Sequence, residues 1–92
     1  MKKLAGKIQN SELEVMRVLW AAGKPVPLIE IRQVLSARCG WEDSTVKTLL
    51  RRLQTKGAVK LERRGIYSAL VSEEEYKKWS TNAFLDKIFA GS

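Results

Sequence analysis

Residues 44–57, STVKTLLRRLQTKG, hold Lys47, Arg51, Arg52 and Lys56 with no acid among them, alongside the hydroxyls of Ser44, Thr45, Thr48 and Thr55. All of these are hydrogen-bond donors. Ammonium and guanidinium groups suit phosphate oxygens, guanidinium also suits base edges, and the hydroxyls suit either, while Thr48 adds a methyl group. Wound as a helix at about 100° per residue, the stretch gathers Val46, Leu49, Leu50 and Leu53 into one apolar arc about 100° wide. Lys47, Arg51, Ser44, Thr55 and Thr48 fall on the opposite side. A face that is merely solvated tends to carry Glu beside Lys, because such i,i+4 pairs support a helix. This one has none. Cations and short hydroxyls opposite an apolar edge fit a helix that enters the major groove of DNA.

The charge balance of the chain points the same way. Its 92 residues carry 17 Lys+Arg against 10 Asp+Glu, a net +7. Residues 44–65 alone hold seven cations and one acid, Glu62, so a net +6 sits in less than a quarter of the length. A scattered excess would read as a solvated surface, whereas concentration of one sign reads as a site for a polyanion. Arg63 and Arg64 close this segment and are expected to contact phosphate.

The elements that must position these groups are legible. NSELEVMRVLWAAGKP reads as a first helix, with Ser11 and Glu14 spaced as a capping box, Asn10 a rival cap, and a Gly23–Pro25 stop. Leu13, Met16, Leu19 and Trp20 form its inward stripe. VPLIEIRQVLSARCG reads as a second helix, with Pro27 in its first turn, Leu28, Ile31, Val34 and Leu35 inward, and Gly40 at its end. The third is capped near residues 42–44 and closed by Gly57. AVKLE and IYSAL then read as two strands of a hairpin turning at Arg63-Arg64-Gly65. The predicted fold is mainly α with a small β-hairpin. It is a winged helix-turn-helix, three helices plus a wing, over residues 1–71, with a C-terminal helix over 72–92.

That last helix opens at Ser72 and Glu75, again spaced as a capping box. Tyr76, Trp79 and Ala83 share one side of it. Phe84, Leu85, Ile88 and Phe89 share a nearly opposite side. Its first half is therefore expected to pack on its own domain, and residues 84–89 on a second copy, forming a homodimer.

Other chemistries find little support. With no His, the common Ser–His and Cys–His nucleophiles are excluded,. No Walker or dinucleotide-type glycine loop occurs. The single Cys39 has no second Cys or His as a co-ligand, so neither a metal nor another cofactor is expected. A lone cysteine suits a reducing, cytoplasmic setting. No run approaches the ~18 apolar residues of a membrane span. The expectation is a non-enzymatic, DNA-binding transcriptional regulator. The alternative is a winged helix used as a protein-interaction module without sequence-specific DNA binding.

Three stretches, SELEVMRVLW, GWEDSTVKTLLRRLQTKG and YSALVSEEE, together resemble the bacterial penicillinase-repressor family, which also includes methicillin-resistance and copper-responsive repressors. The most specific part is Trp-x3-Thr-Val-Lys-Thr-Leu-Leu-x-Arg-Leu-x-x-Lys-Gly, starting at Trp41. The resemblance implies a dimeric winged-helix repressor on a palindromic operator, with Thr45, Lys47, Thr48 and Arg51 on its recognition helix. Leu13 stands where relatives commonly have Trp, and Glu42-Asp43 where they commonly have Ser-Pro. The hairpin is a few residues shorter than is usual in the family. Relatives continue into a C-terminal dimerisation region with a cleavage site or a cysteine cluster. This chain is accordingly expected to be a DNA-binding domain with the beginning of a dimerisation arm.

Overall fold

Leucine and glycine together end the third helix. The computed structural model describes residues 8–78. Within them α1 (Asn10–Ala22), α2 (Leu28–Cys39) and α3 (Asp43–Lys56) precede most of a small sheet. At the end of α3, Gly57 takes φ 83°, a left-handed conformation costly for a residue with a Cβ,. Its N–H donates to the Gln54 carbonyl at 3.1 Å, and the Ala58 N–H donates to the Leu53 carbonyl at 2.9 Å. This paired closure satisfies two carbonyls the helix leaves open, and Leu53 and Ala58 are both fully buried beside it,. The chain is thereby turned directly into the sheet. Gly23 and Gly40 close α1 and α2 through single bonds to Leu19 and Ser36 carbonyls.

The sheet has three antiparallel strands in the order β1 (Val26–Pro27), β3 (Ile66–Ala69), β2 (Val59–Arg63). β2 and β3 are the expected hairpin, joined by Arg64 and Gly65, with a register shift between Leu61 and Arg63. β1 was not expected. Pro27, read from sequence as a first-turn residue, instead precedes α2 as its N-cap and pairs with Ile66 across the sheet. Proline is tolerated there because β1 is an edge strand. One further bond ties this edge down: the Leu28 N–H donates to the Gly65 carbonyl at 2.6 Å, joining the start of α2 to the hairpin turn.

The core lies between the helices and the sheet. Val15, Met16 and Leu19 come from α1, and Ile31 and Leu35 from α2; Val46, Leu49, Leu50 and Leu53 come from α3. The apolar arc of the third helix is therefore as expected. Leu13, Trp20, Leu28 and Val34, also read as inward, are only partly buried against that core. The cap of α1 differs from both residues named for it. Gln9 is the N-cap, and its N–H donates to Glu12 Oε1 at 2.8 Å, so the helix begins one residue earlier than an Asn10 cap requires and two earlier than a Ser11 cap.

A fourth helix, α4, starts at residue 73 and is described to 78. Its cap is the expected one: the Glu75 N–H donates to Ser72 Oγ at 3.0 Å, and the Ser72 N–H to Glu75 Oε1 at 2.9 Å. Trp20 holds this junction to α1. Its indole N–H donates to the Val71 carbonyl at 2.8 Å, and its ring lies 5.7 Å from that of Tyr76. Trp20→Phe keeps most of the ring and removes the donor, so it is expected to cost about 0.5–1.5 kcal/mol, read from the urea midpoint. Trp79, Ala83, Phe84, Leu85, Ile88 and Phe89 lie outside the described residues.

Candidate nucleic-acid interface

Burial of Val46, Leu49, Leu50 and Leu53 fixes which side of α3 faces out. Ser44, Thr45, Lys47, Thr48, Arg51, Arg52 and Thr55 are all exposed. Thr55 is turned back on its own helix, its hydroxyl donating to the Arg51 carbonyl at 3.1 Å. Ser44, Thr45, Thr48 and Arg52 line a groove of about 370 Å³, completed by Leu49, by Ser11 of α1 and by the half-buried Trp41. Lys47 and Arg51 lie outside that groove. Sequence reasoning did not place Ser11 or Trp41 at this surface. Trp41 stands immediately before the N-cap Glu42, a position where an apolar residue often packs back on the helix, and that spacing is a readable signal,.

The basic cluster is not uniform. Lys56, counted from sequence with the uncompensated face, pairs with Glu12 of α1 at 2.5 Å. That carboxylate comes from 44 residues away, beyond the reach of any helical-spacing argument. Burial pushes the Glu12 carboxyl up, but the Gln9 N–H and the Lys56 ammonium together hold it below its usual value,. Lys60 lies 3.6 Å from Glu62. The Ser68 hydroxyl donates to Glu62 at 2.8 Å and, with Lys60, lowers that carboxyl. Among the described residues Lys47, Arg51, Arg52, Arg63 and Arg64 form no ion pair, and all five are exposed. They stand in two groups, three on α3 and two where β2 meets the hairpin turn. At the other end of α3, Asp43 pairs with Arg32 of α2.

No group of three or more metal-ligating side chains occurs among the described residues. No helix among them is long and apolar enough to cross a membrane.

Three helices with a basic, hydroxyl-bearing face on the third, followed by a cationic hairpin pinned to the second, make a winged helix-turn-helix domain of the DNA-binding kind. The chain belongs to the penicillinase repressor family, whose model matches residues 8–92. It is 32% identical over 95 residues to the penicillinase repressor of Bacillus licheniformis, covering 100% of this chain and 73% of that one. It is similar to the solution structure of the DNA-binding domain of the repressor BlaI, with TM-score 0.70, 34% identity, and coverage of 83% of this chain and 94% of that one. It is also similar to monomeric Bacillus licheniformis BlaI in complex with the blaP half-operator, with TM-score 0.67, 35% identity and the same 83% and 94% coverage. The chain spans between 62% and 73% of the length of the curated relatives it matches.

Proposed function

We propose that this chain is the DNA-binding part of a transcriptional repressor, acting in the cytoplasm, which binds a palindromic operator as a homodimer. Residues 1–71 form the reading domain, and 72–92 begin the dimerisation arm. The carrying observation is the sorting of charge: Lys56 and Lys60 are engaged by carboxylates, whereas Lys47, Arg51 and Arg52 stand exposed with no ion pair among the described residues. Lys47, Thr48 and Arg51 read base edges. Ser44, Thr45 and Arg52 on α3, with Arg63 and Arg64 on the hairpin, hold the phosphate backbone and set register, while the Thr55 hydroxyl stays on its own helix. Phe84, Leu85, Ile88 and Phe89 pack against the second copy, placing two α3 helices on successive major-groove faces. Like BlaI on its half-operator, one copy suffices to occupy a half-site.

Two measurements test this. Selection of bound duplexes from a random pool is expected to return a half-site repeated with two-fold symmetry. On the selected duplex, log K is expected to fall with log salt at a slope of about −2.7 per protomer if Arg52, Arg63 and Arg64 each neutralise a phosphate. A flat salt response, or a pool that stays random, overturns the reading. Arg64→Ala is expected to weaken selected and scrambled duplexes alike.

A further inference from the structure

Glu12 has no exposed surface, unlike every other charged residue described. It sits in the first turn of α1, where its Oε1 accepts both the Gln9 N–H at 2.8 Å and the Lys56 ammonium at 2.5 Å. Lys56 is the last residue of α3. A carboxylate held by the cap of its own helix has little freedom, so whatever it grips is referred to the start of α1. Here it grips the end of α3.

Stability is a poor account of this pair. Buried ion pairs give up hydration that their attraction recovers only when every remaining polar atom is satisfied. Glu12 Oε2 is buried without a hydrogen-bond partner among the described residues. An apolar pair of similar volume would fill the space at least as well. What an apolar pair lacks is direction: packed methylenes tolerate a small slide or roll of one helix on another, and a charged hydrogen bond at one oxygen does not. Arg51 lies five residues from Lys56, about 7.5 Å along the axis at 1.5 Å per residue. A displacement at the Lys56 end is therefore carried almost undiminished to the exposed face of α3.

We propose that Glu12 is a positioning residue for DNA recognition, holding α3 through Lys56 so that its base-facing side chains meet the groove in one register. This rests on the reading of α3 as the recognition element. The pair at the opposite end, Arg32–Asp43, does not serve the same purpose, because Asp43 is 58% exposed and water can replace its partner,.

The test uses the full 92-residue chain on two probes, the duplex it selects from a random pool and a scrambled duplex of equal composition. Three variants are compared with the parent, their folding checked by circular dichroism: Glu12→Gln, the double replacement Glu12→Met with Lys56→Met, and Asp43→Asn. The double variant leaves net charge unchanged, so its affinity for scrambled DNA is expected to stay within about twofold of the parent. Its affinity for the selected duplex is expected to fall by about tenfold or more, a loss of discrimination at an unaltered salt slope. Glu12→Gln is expected to lose discrimination to a similar extent, and Asp43→Asn to keep the parental ratio. A folded double variant with the parental ratio overturns the proposal. If the double variant does not fold, the ratio of Glu12→Gln decides. If neither folds, Glu12 is purely structural and the proposal falls. A parent that itself fails to discriminate condemns the functional reading rather than the role of Glu12.

Discussion

Leu53→Ala lowers the stability of the domain by about 2–5 kcal/mol, the range for truncating a fully buried leucine whose surroundings cannot close over the gap. Leu53 has no exposed surface, and its backbone carbonyl takes the Ala58 N–H that closes α3 and starts the sheet. The surroundings are thus held on two sides, by the helix closure and by the strand that follows. A chain of this length has about 5–14 kcal/mol in total at 0.05–0.15 kcal/mol per residue. One substitution therefore removes between about a seventh of that total and all of it. The expected observation is a large drop in urea midpoint with an unchanged m-value. A loss below about 1 kcal/mol would mean that the core collapses into the space, contrary to the constraint described.

Arg51→Ala gives the largest expected effect on binding. The guanidinium lies near the middle of the exposed arc of α3, with no ion pair among the described residues to remove first. If it forms a bidentate contact to guanine, its loss costs about 1–3 kcal/mol on the selected duplex, roughly 5- to 150-fold, and relaxes preference at one base pair. Affinity for scrambled DNA is expected to change far less. Competition binding on the two duplexes separates the cases. Equal losses on both would make Arg51 a phosphate contact and leave base reading to Lys47 and Thr48.

Local signals carried most of the fold. The arc of Val46, Leu49, Leu50 and Leu53 was legible because four aliphatics at helical spacing, facing cations, admit one arrangement. The capping box at Ser72 and Glu75 was legible for the same reason: both partners lie within one turn. The failures are of two kinds. Val26-Pro27 is too short to carry a strand periodicity, and it becomes a strand only because β3 lies beside it. Glu12 carries no local mark of burial, and its ion-pair partner Lys56 comes from another helix. At the start of α1, Asn10 and Ser11 competed as caps by local spacing, and neither is used. The contact between Gln9 and Glu12 sets the start of the helix instead. The site residues on α3 are exposed as expected, but which cations remain available there was a tertiary fact and could not be read from spacing.

The bond from the Leu28 N–H to the Gly65 carbonyl, with the Val26–Tyr67 and Pro27–Ile66 pairs beside it, gives the hairpin a fixed mooring on α2. Because α2 in turn packs on α3, the two cationic groups, if both contact DNA as proposed, would behave as the jaws of a caliper. Such a tool measures as well as grips. A duplex whose groove is wider or narrower than the opening between those jaws would have to deform to meet both, at an energy that depends on its own base steps. Base pairs that no side chain touches would then still contribute to which operator is chosen, and shortening or lengthening the hairpin would retune that choice without altering a single residue of α3.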